Sequence, residues 1–247
     1  NSYSGTTTIS AGKLIVSGSG SLGSGSYAGN IANSGTFQYS SSAAQTLSGI
    51  ISGTGALIKD TSTTSTLTLT NTNTYSGNTT ISAGTLTIGG TGSLGSGSYA
   101  GNITNNGTFK YSSSAAQTLS GIISGTGALT KDTSSSSTLT LSNGSNSYSG
   151  LTTITSGVIS VSSDTNLGTN SGLTFGGGTL TITGSSAFSS AKNITLSGAG
   201  TITNNGSGGA TFSGSITNGS NLLTINGTGD TTISGVIGSG SGGLTKA

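Results

Sequence analysis

Cysteine, proline, methionine, tryptophan and histidine are absent from this 247-residue chain, and so are arginine and glutamate. Without cysteine there is no disulfide framework and no thiolate metal site, and without histidine the commonest metal ligand and general base is missing too. No cofactor or metal is expected. Charge is equally scarce: six Lys and four Asp give a net +2, too weak and too scattered for the basic stripe that nucleic acid requires. No apolar run approaches the length of a membrane helix. Low charge with 46 Gly and abundant Ser and Thr is also the composition of disordered chains, but those lack regularly placed apolar residues. Here Leu, Ile, Val, Phe and Tyr recur in short runs at every second position, the period of a β-strand, and no helical period competes with it.

Those runs belong to a long repeat. Residues 1–72 and 73–144 agree at 57 of 72 positions without a gap. NSYSGTTTISAG returns as NTYSGNTTISAG, and SSAAQTLSGIISGTGAL returns unchanged. A third copy opens at Asn146 with NSYSGLTTITSG, diverges, and closes from Ser234 with SGVIGSGSGGLTK. The chain is therefore read as repeats 1–72, 73–145 and a longer, divergent 146–247, all parts of one continuous solenoid.

A shorter motif, Gly-x-Φ-x-Φ with Φ usually apolar, lies inside the long one: GKLIV, GTFQY, GALIK, GTLTI, GTFKY, GALTK, GVISV, GTLTI, GTITN, NLLTI and GGLTK. Successive motifs start 20 to 30 residues apart, the period of a solenoid coil rather than of a hairpin sandwich or a propeller blade. Three short strands and three turns fill such a coil, and each coil hydrogen-bonds to the next at about 4.8 Å. The fold expected is all-β, a right-handed parallel β-helix of about eleven coils and roughly 53 Å, with no helical domain. Parallel stacking would make one continuous inner ladder of Leu14, Val16, Phe37, Tyr39, Leu57, Leu86, Ile88, Phe109, Tyr111, Leu129, Ile159, Leu180, Ile182, Ile202 and Leu223. The extra runs TLTLT from Thr66 and TLTLS from Thr138 then form other sides of the longer coils.

The two close copies test the facing. Lys13/Thr85, Ile15/Thr87, Gln38/Lys110 and Ile58/Thr130 differ at positions that should point outward, whereas among the paired inward positions only Val16/Ile88 exchanges. Glycine opens most motifs because tight corners need a positive φ or close backbone approach.

GALTKDTSSSSTLTLSNGSNSYSGLTTITSGVISV, residues 127–161, resembles the passenger-associated β-strand repeat of bacterial autotransporters. The pattern runs G-x-L-T-K, T-L-T-L, N-x-Y-x-G, T-T-I and G-x-L-x-V. It is met again at 55–88, and in split form where 242–247 ends what Asn1 begins. The resemblance implies a right-handed parallel β-helix at the surface of a Gram-negative bacterium, serving as a stalk or adhesin, with no catalytic residue to carry over. No β-barrel translocator is read in this stretch, which leaves the export route open.

Chemical sites are weighed against this scaffold. Catalysis by a polysaccharide lyase or hydrolase needs grouped ionisable residues, and three coils would hold Asp60 and Asp132 about 14 Å apart. Each stands beside a lysine in a Ser/Thr-rich turn and reads as a solvated loop charge. No Asp lies in the G-G-x-G-x-D pattern of calcium β-rolls, and the glycine-rich stretches 18–29 and 89–101 lack the G-K-[ST] of phosphate loops. Sequons at Asn78, Asn102 and Asn193 arise readily in this composition.

One surface feature stands out. Thr87, Lys110, Thr130, Ser160, Thr181, Thr203, Thr224 and Thr245 occupy the outward position of successive motifs, and a flat threonine file on a β-solenoid resembles an ice-binding face. The function expected is a non-enzymatic structural or adhesive segment of a large bacterial extracellular surface protein. A self-assembling matrix filament and an ice- or glycan-binding face are the alternatives. Partners would be neighbouring repeats, further copies of the chain, or a host surface or glycan, with no nucleic acid and no membrane span. Asn1 begins mid-motif and GGLTKA stops where earlier copies run on, so a fragment of a longer array or an end-to-end stacking subunit is expected.

Overall fold

A computed structural model describes residues 1–60, 64–133, 137–169, 172–238 and 240–247. Every strand pairing among them is parallel, and each strand bonds to one that lies about a coil away in sequence. The chain is an all-β parallel solenoid of about ten turns, with three sides per turn. Among the described residues the helical elements are three short 3-10 turns, Gly23–Gly25, Gly95–Gly97 and Asp164–Leu167.

Thr7–Ile9, Lys13–Gly18 and Ser26–Tyr27 make the first turn and define three faces. The third face is one unbroken ten-stranded sheet from Ser26–Tyr27 to Ile216–Thr217, extended by a parallel bridge from Ile216 to Ile237. The second face is a six-stranded sheet followed by a three-stranded one, and the first a three-stranded followed by an eight-stranded one. Irregular backbone joins the pieces. Thr74 and Tyr75 donate to Ile51 O, and Ser96 donates to Asn73 O, on the first face. Ser147 and Tyr148 donate to Ile123 O, and Thr169 donates to Tyr148 O, on the second.

The long repeat is not a whole number of turns. Thr7–Ile9 lies on the first face, but its counterpart Thr79–Ile81 pairs with Ala56–Lys59 on the second. Lys13–Gly18 lies on the second face, and its counterpart Thr85–Gly90 pairs with Thr66–Leu69 on the third. Ten sides therefore make one 72-residue unit, three turns plus one side, and each copy is rotated by one face.

This rotation corrects the single inner ladder. Leu14, Phe37 and Leu57 stack on the second face. Leu86 does not follow Leu57: it stacks on Leu67 of the TLTL strand, and Leu86, Phe109 and Leu129 continue the third face. Ile159, Leu180 and Ile202 stack on the first, below Leu139. The physical reason is the strand Thr66–Leu69, and its copy Thr138–Leu141, which adds one side per long repeat. Leu223 faces Gly200, and Ile225 takes the place opposite Ile202. Val16, Phe37, Tyr39, Leu57, Leu86, Ile88, Phe109, Tyr111, Leu129, Ile159, Leu180, Ile182, Ile202 and Leu223 are buried, while Leu14, with no coil above it, is half-buried.

Two glycine roles are separable. Gly12, Gly84 and Gly157 open motifs with φ of 69°, 73° and 75°, the left-handed region that side chains avoid. Gly107 lacks that conformation, but a Cβ there would lie 2.4 Å from Gly84 O of the coil above.

Polar groups inside the coil are tied down. Tyr75 donates to Thr79 Oγ1 at 2.8 Å, the threonine hydroxyl donates to Tyr99 Oη at 2.8 Å, and Tyr99 donates to Gly77 O. Asn73 accepts from Ile51 N at 2.9 Å and donates to Asn71 O at 2.7 Å, bridging turns at a corner. Asn146 does the same between Ile123 N and Asn166 O. This is the structural content of N-x-Y-S-G. Gln45 and Gln117 are buried, each accepting from and donating to one leucine backbone, Leu22 or Leu94. Lys59 and Lys131 also point inward and are fully buried. Their ammonium groups lie 5.8 and 5.7 Å from the ring centroids of Tyr39 and Tyr111 and donate to backbone carbonyls of Asp60, and of Asp132 and Thr133.

Replacing Phe109 by Ala should destabilise the chain by about 3–5 kcal/mol, whereas Lys110→Ala, on the outer side of the same strand, should cost less than about 1 kcal/mol. Comparable losses in denaturant melts would contradict the facing.

Burial holds Tyr39, Tyr75, Tyr99, Tyr111 and Tyr148 above the ordinary phenol range. Unfolded tyrosines ionise near pH 10, so above that pH the unfolded state holds fewer protons than the native state and stability falls as pH rises. Burial pushes Lys59 and Lys131 down, which has the opposite sign, but the tyrosines outnumber them. The expected result is loss of strand circular dichroism above about pH 10, coincident with tyrosinate absorbance. Tyrosinate appearing well before unfolding would show that the rings are accessible.

Candidate functional site

The surface is the first place to look for function, because each strand turns its alternate side chains outward. Thr87, Lys110 and Thr130 stand on the third face, whereas Ser160, Thr181 and Thr203 stand on the first. Thr224 and Thr245 fall out of line: Thr224 pairs with Thr201, and Thr203 meets Asn226. The single expected file is thus divided between two faces, for the same reason as the core ladder.

What the third face gains is a longer file. Ser26, Thr46, Thr68, Thr87, Lys110, Thr130, Thr153, Thr174, Thr195 and Thr217 occupy one register across all ten strands. Adjacent members stand about 4.8 Å apart, which makes a straight row of hydroxyls along the rod. Seven of these positions lie outside Gly-x-Φ-x-Φ and were not expected. Six of the seven share a signal, an outward residue between two buried ones in QTL, TLTL, TTI, LTF, ITL and ITN. On the first face two columns run side by side over Thr138-x-Thr140, Val158-x-Ser160, Thr179-x-Thr181 and Thr201-x-Thr203.

Lysine interrupts the third-face row once, and its charge is answered one turn on. Lys110 Nζ lies 2.6 Å from Asp132 Oδ2, and Ser112 donates to Asp132 Oδ1. Burial opposes ionisation of Asp132, but the Lys110 ammonium and the serine hydroxyl outweigh it and hold the carboxyl below its usual range. In the first copy Gln38 and Ser40 bind Asp60 in the same way, with Gln38 Nε2 at 2.6 Å from Oδ2. Neither carboxylate is a free loop charge: each is tied to the outward row of the neighbouring turn. Asp60 and Asp132 lie on different faces, following Ala56–Lys59 and Ala128–Lys131. Among the described residues no group of three potential metal ligands occurs, and no helix is long and apolar enough to cross a membrane.

Comparison with known proteins follows the same landmarks. The family model described as passenger-associated-transport-repeat matches residues 1–16, 64–88 and 134–161. Each match ends on a Gly-x-Φ-x-Φ strand, and each includes an N-x-Y-S-G corner. Positions 134–136 of the third match lie outside the described residues. The adhesin BmaC autotransporter of Brucella suis biovar 1 (strain 1330) is 37% identical over 150 residues, covering 53% of this chain and 4% of the relative. The chain thus spans a small fraction of that protein's length. No solved structure matches. By sequence, then, three stretches of the chain match the passenger-associated-transport-repeat, and about half of the chain is similar to part of an autotransporter adhesin.

Proposed function

We propose that this chain is a non-enzymatic segment of the extracellular rod of a large bacterial surface protein. It spaces and stiffens the molecule and offers its hydroxyl rows as an adhesive surface. The observation that supports this most directly is the unbroken parallel stacking of the third face, ten strands in one sheet. Ten spacings, the last reaching the bridge at Ile237, come to about 48 Å of rod. No coil buries its apolar side alone, so stiffness is a property of the stack. The relative named as an adhesin supports a place at the cell surface.

The hydroxyl row carries the adhesive half of the reading. Regularly spaced donors and acceptors with little charge suit a glycan or another ordered polar surface. The same regularity supports an ice-contacting face as a second reading, which freezing-hysteresis measurements test directly.

Replacing Thr153 and Thr195 by Lys puts two uncompensated charges on the row. Adhesion of chain-coated beads to host cells should fall several-fold, with stability changed by less than about 1 kcal/mol. Unchanged adhesion would remove this face from the reading, and turnover of a polysaccharide by the chain would remove its non-enzymatic part.

A further inference from the structure

Five Asn-Gly pairs occur in the sequence, beginning at Asn106, Asn143, Asn205, Asn218 and Asn226. In such a pair the glycine backbone nitrogen, with no Cβ beside it, has close access to the asparagine side-chain carbonyl carbon. Attack follows only where the carboxamide is free to turn toward that nitrogen, because orientation governs intramolecular reactions. The fold restrains four of the five. Asn106 Oδ1 accepts from Thr126 N at 3.1 Å, one turn on. Asn143 accepts from Ser145 N at 2.8 Å and donates to Ser120 O at 2.8 Å. Gly206 N, which would have to attack Asn205, is buried and donates to Asn204 Oδ1 at 3.0 Å. The Asn218 side chain is itself buried.

Asn226 is held by no other turn. It ends the strand Leu223–Asn226 on the first face and is exposed. Among the described residues its carboxamide makes one hydrogen bond, and the partner is the nitrogen of the next residue: Gly227 N donates to Oδ1 at 2.7 Å. The carbonyl carbon therefore already lies beside the nucleophile, and a rotation of the exposed carboxamide turns its face onto that nitrogen. Asn71 makes the same contact, accepting from Thr72 N at 2.8 Å, but differs in two ways. Its amide nitrogen is held by Ser48 O at 2.9 Å, and a stiff β-branched side chain flanks the attacking nitrogen.

We propose that Asn226–Gly227 is a site of spontaneous deamidation that loosens the turn beyond it. Gly227 N loses its proton to solvent and bonds to Asn226 Cγ, while the Cγ–Nδ2 bond breaks and Nδ2 leaves as ammonia. Water then opens the cyclic imide at one of its two carbonyls. One opening leaves aspartate, and the other leaves an isoaspartyl link with an extra carbon in the backbone. That carbon falls at a crowded corner. Gly227 has a φ of 94° and lies so close to the preceding turn that a Cβ there would come within 2.2 Å of Asn204 O. The same carbonyl accepts from Gly229 N at 2.8 Å, and Asn204 Nδ2 donates to Asp230 O at 2.7 Å. An isoaspartyl link breaks this corner and frees the strands that follow, Thr231–Ile233 and Leu244–Lys246.

Ageing the 247-residue chain in mildly alkaline buffer, folded and in urea, tests this by peptide mass mapping and enzymatic isoaspartate labelling. In the folded chain Asn226 should convert several-fold faster than any of the other four asparagines. In urea, where the restraints are gone, the five rates should draw together. Another asparagine leading in the folded chain, equal rates there, or a lead by Asn226 that persists in urea would each overturn the site. Hydrogen exchange reads the consequence. Amides of 231–233 and 244–246 should exchange faster in the aged chain, but not in aged Asn226→Gln, whose longer side chain closes a ring far more slowly. That substitution is at an exposed position and leaves Gly227 in place. Exchange that rises equally in both chains overturns the loosening, as does unchanged exchange in a chain shown to carry isoaspartate.

Discussion

Parallel, in-register stacking is the constraint from which the rest of this molecule follows. The hydrogen bonds between turns run along the rod, so every side chain has a neighbour about 4.8 Å above it and another below. Apolar residues gain from such neighbours and hydroxyls tolerate them, but like charges placed directly opposite destabilise a sheet. That explains a chain with 4% charged residues. It also explains how two of its charges are placed: Lys110 stands in the middle of a hydroxyl row and is answered by Asp132 on the next turn.

Stacking also decides what happens to polar groups that cannot reach water. The corners are closed by asparagine amides and tyrosine hydroxyls that bond to backbone of adjacent turns, as Asn73 and Tyr99 do. Lys59 and Lys131 fill inward positions next to Tyr39 and Tyr111, with their ammonium groups on turn carbonyls. GALIK and GALTK thus end not in a solvated charge but in a core residue that fastens the turn leaving its strand.

The alternation of GTFKY and GTLTI made the coil and its inner side chains legible, since period two and a 20-residue spacing have few other solutions. Which face each motif occupies was not legible. TLTL at Thr66–Leu69 looks like any other strand, and nothing in its composition marks it as the side that turns Leu86 away from Leu57. Lys59 and Lys131 were hidden for another reason: lysine reads as surface unless its neighbours are known. The inward Gln45 and Gln117 were obscured by their serine- and alanine-rich surroundings. The ion pair of Asp164 with Lys192 could not be anticipated, because the two are 28 residues apart and meet only where the second face loses its strands.

The mismatch between a ten-sided unit and a three-sided turn has a consequence for how such a rod grows. Were the unit a whole number of turns, each face would keep its own sequence, and the three would be free to specialise. Here every copied segment must serve in turn as first, second and third face, so no side of it can depend on features peculiar to one wall of the prism. Duplicating the unit keeps the stack intact and carries each surface feature one step around the axis. Three copies therefore present the same feature in three directions, like stairs around a newel post, and a rod lengthened in this way offers it to neighbours on every side.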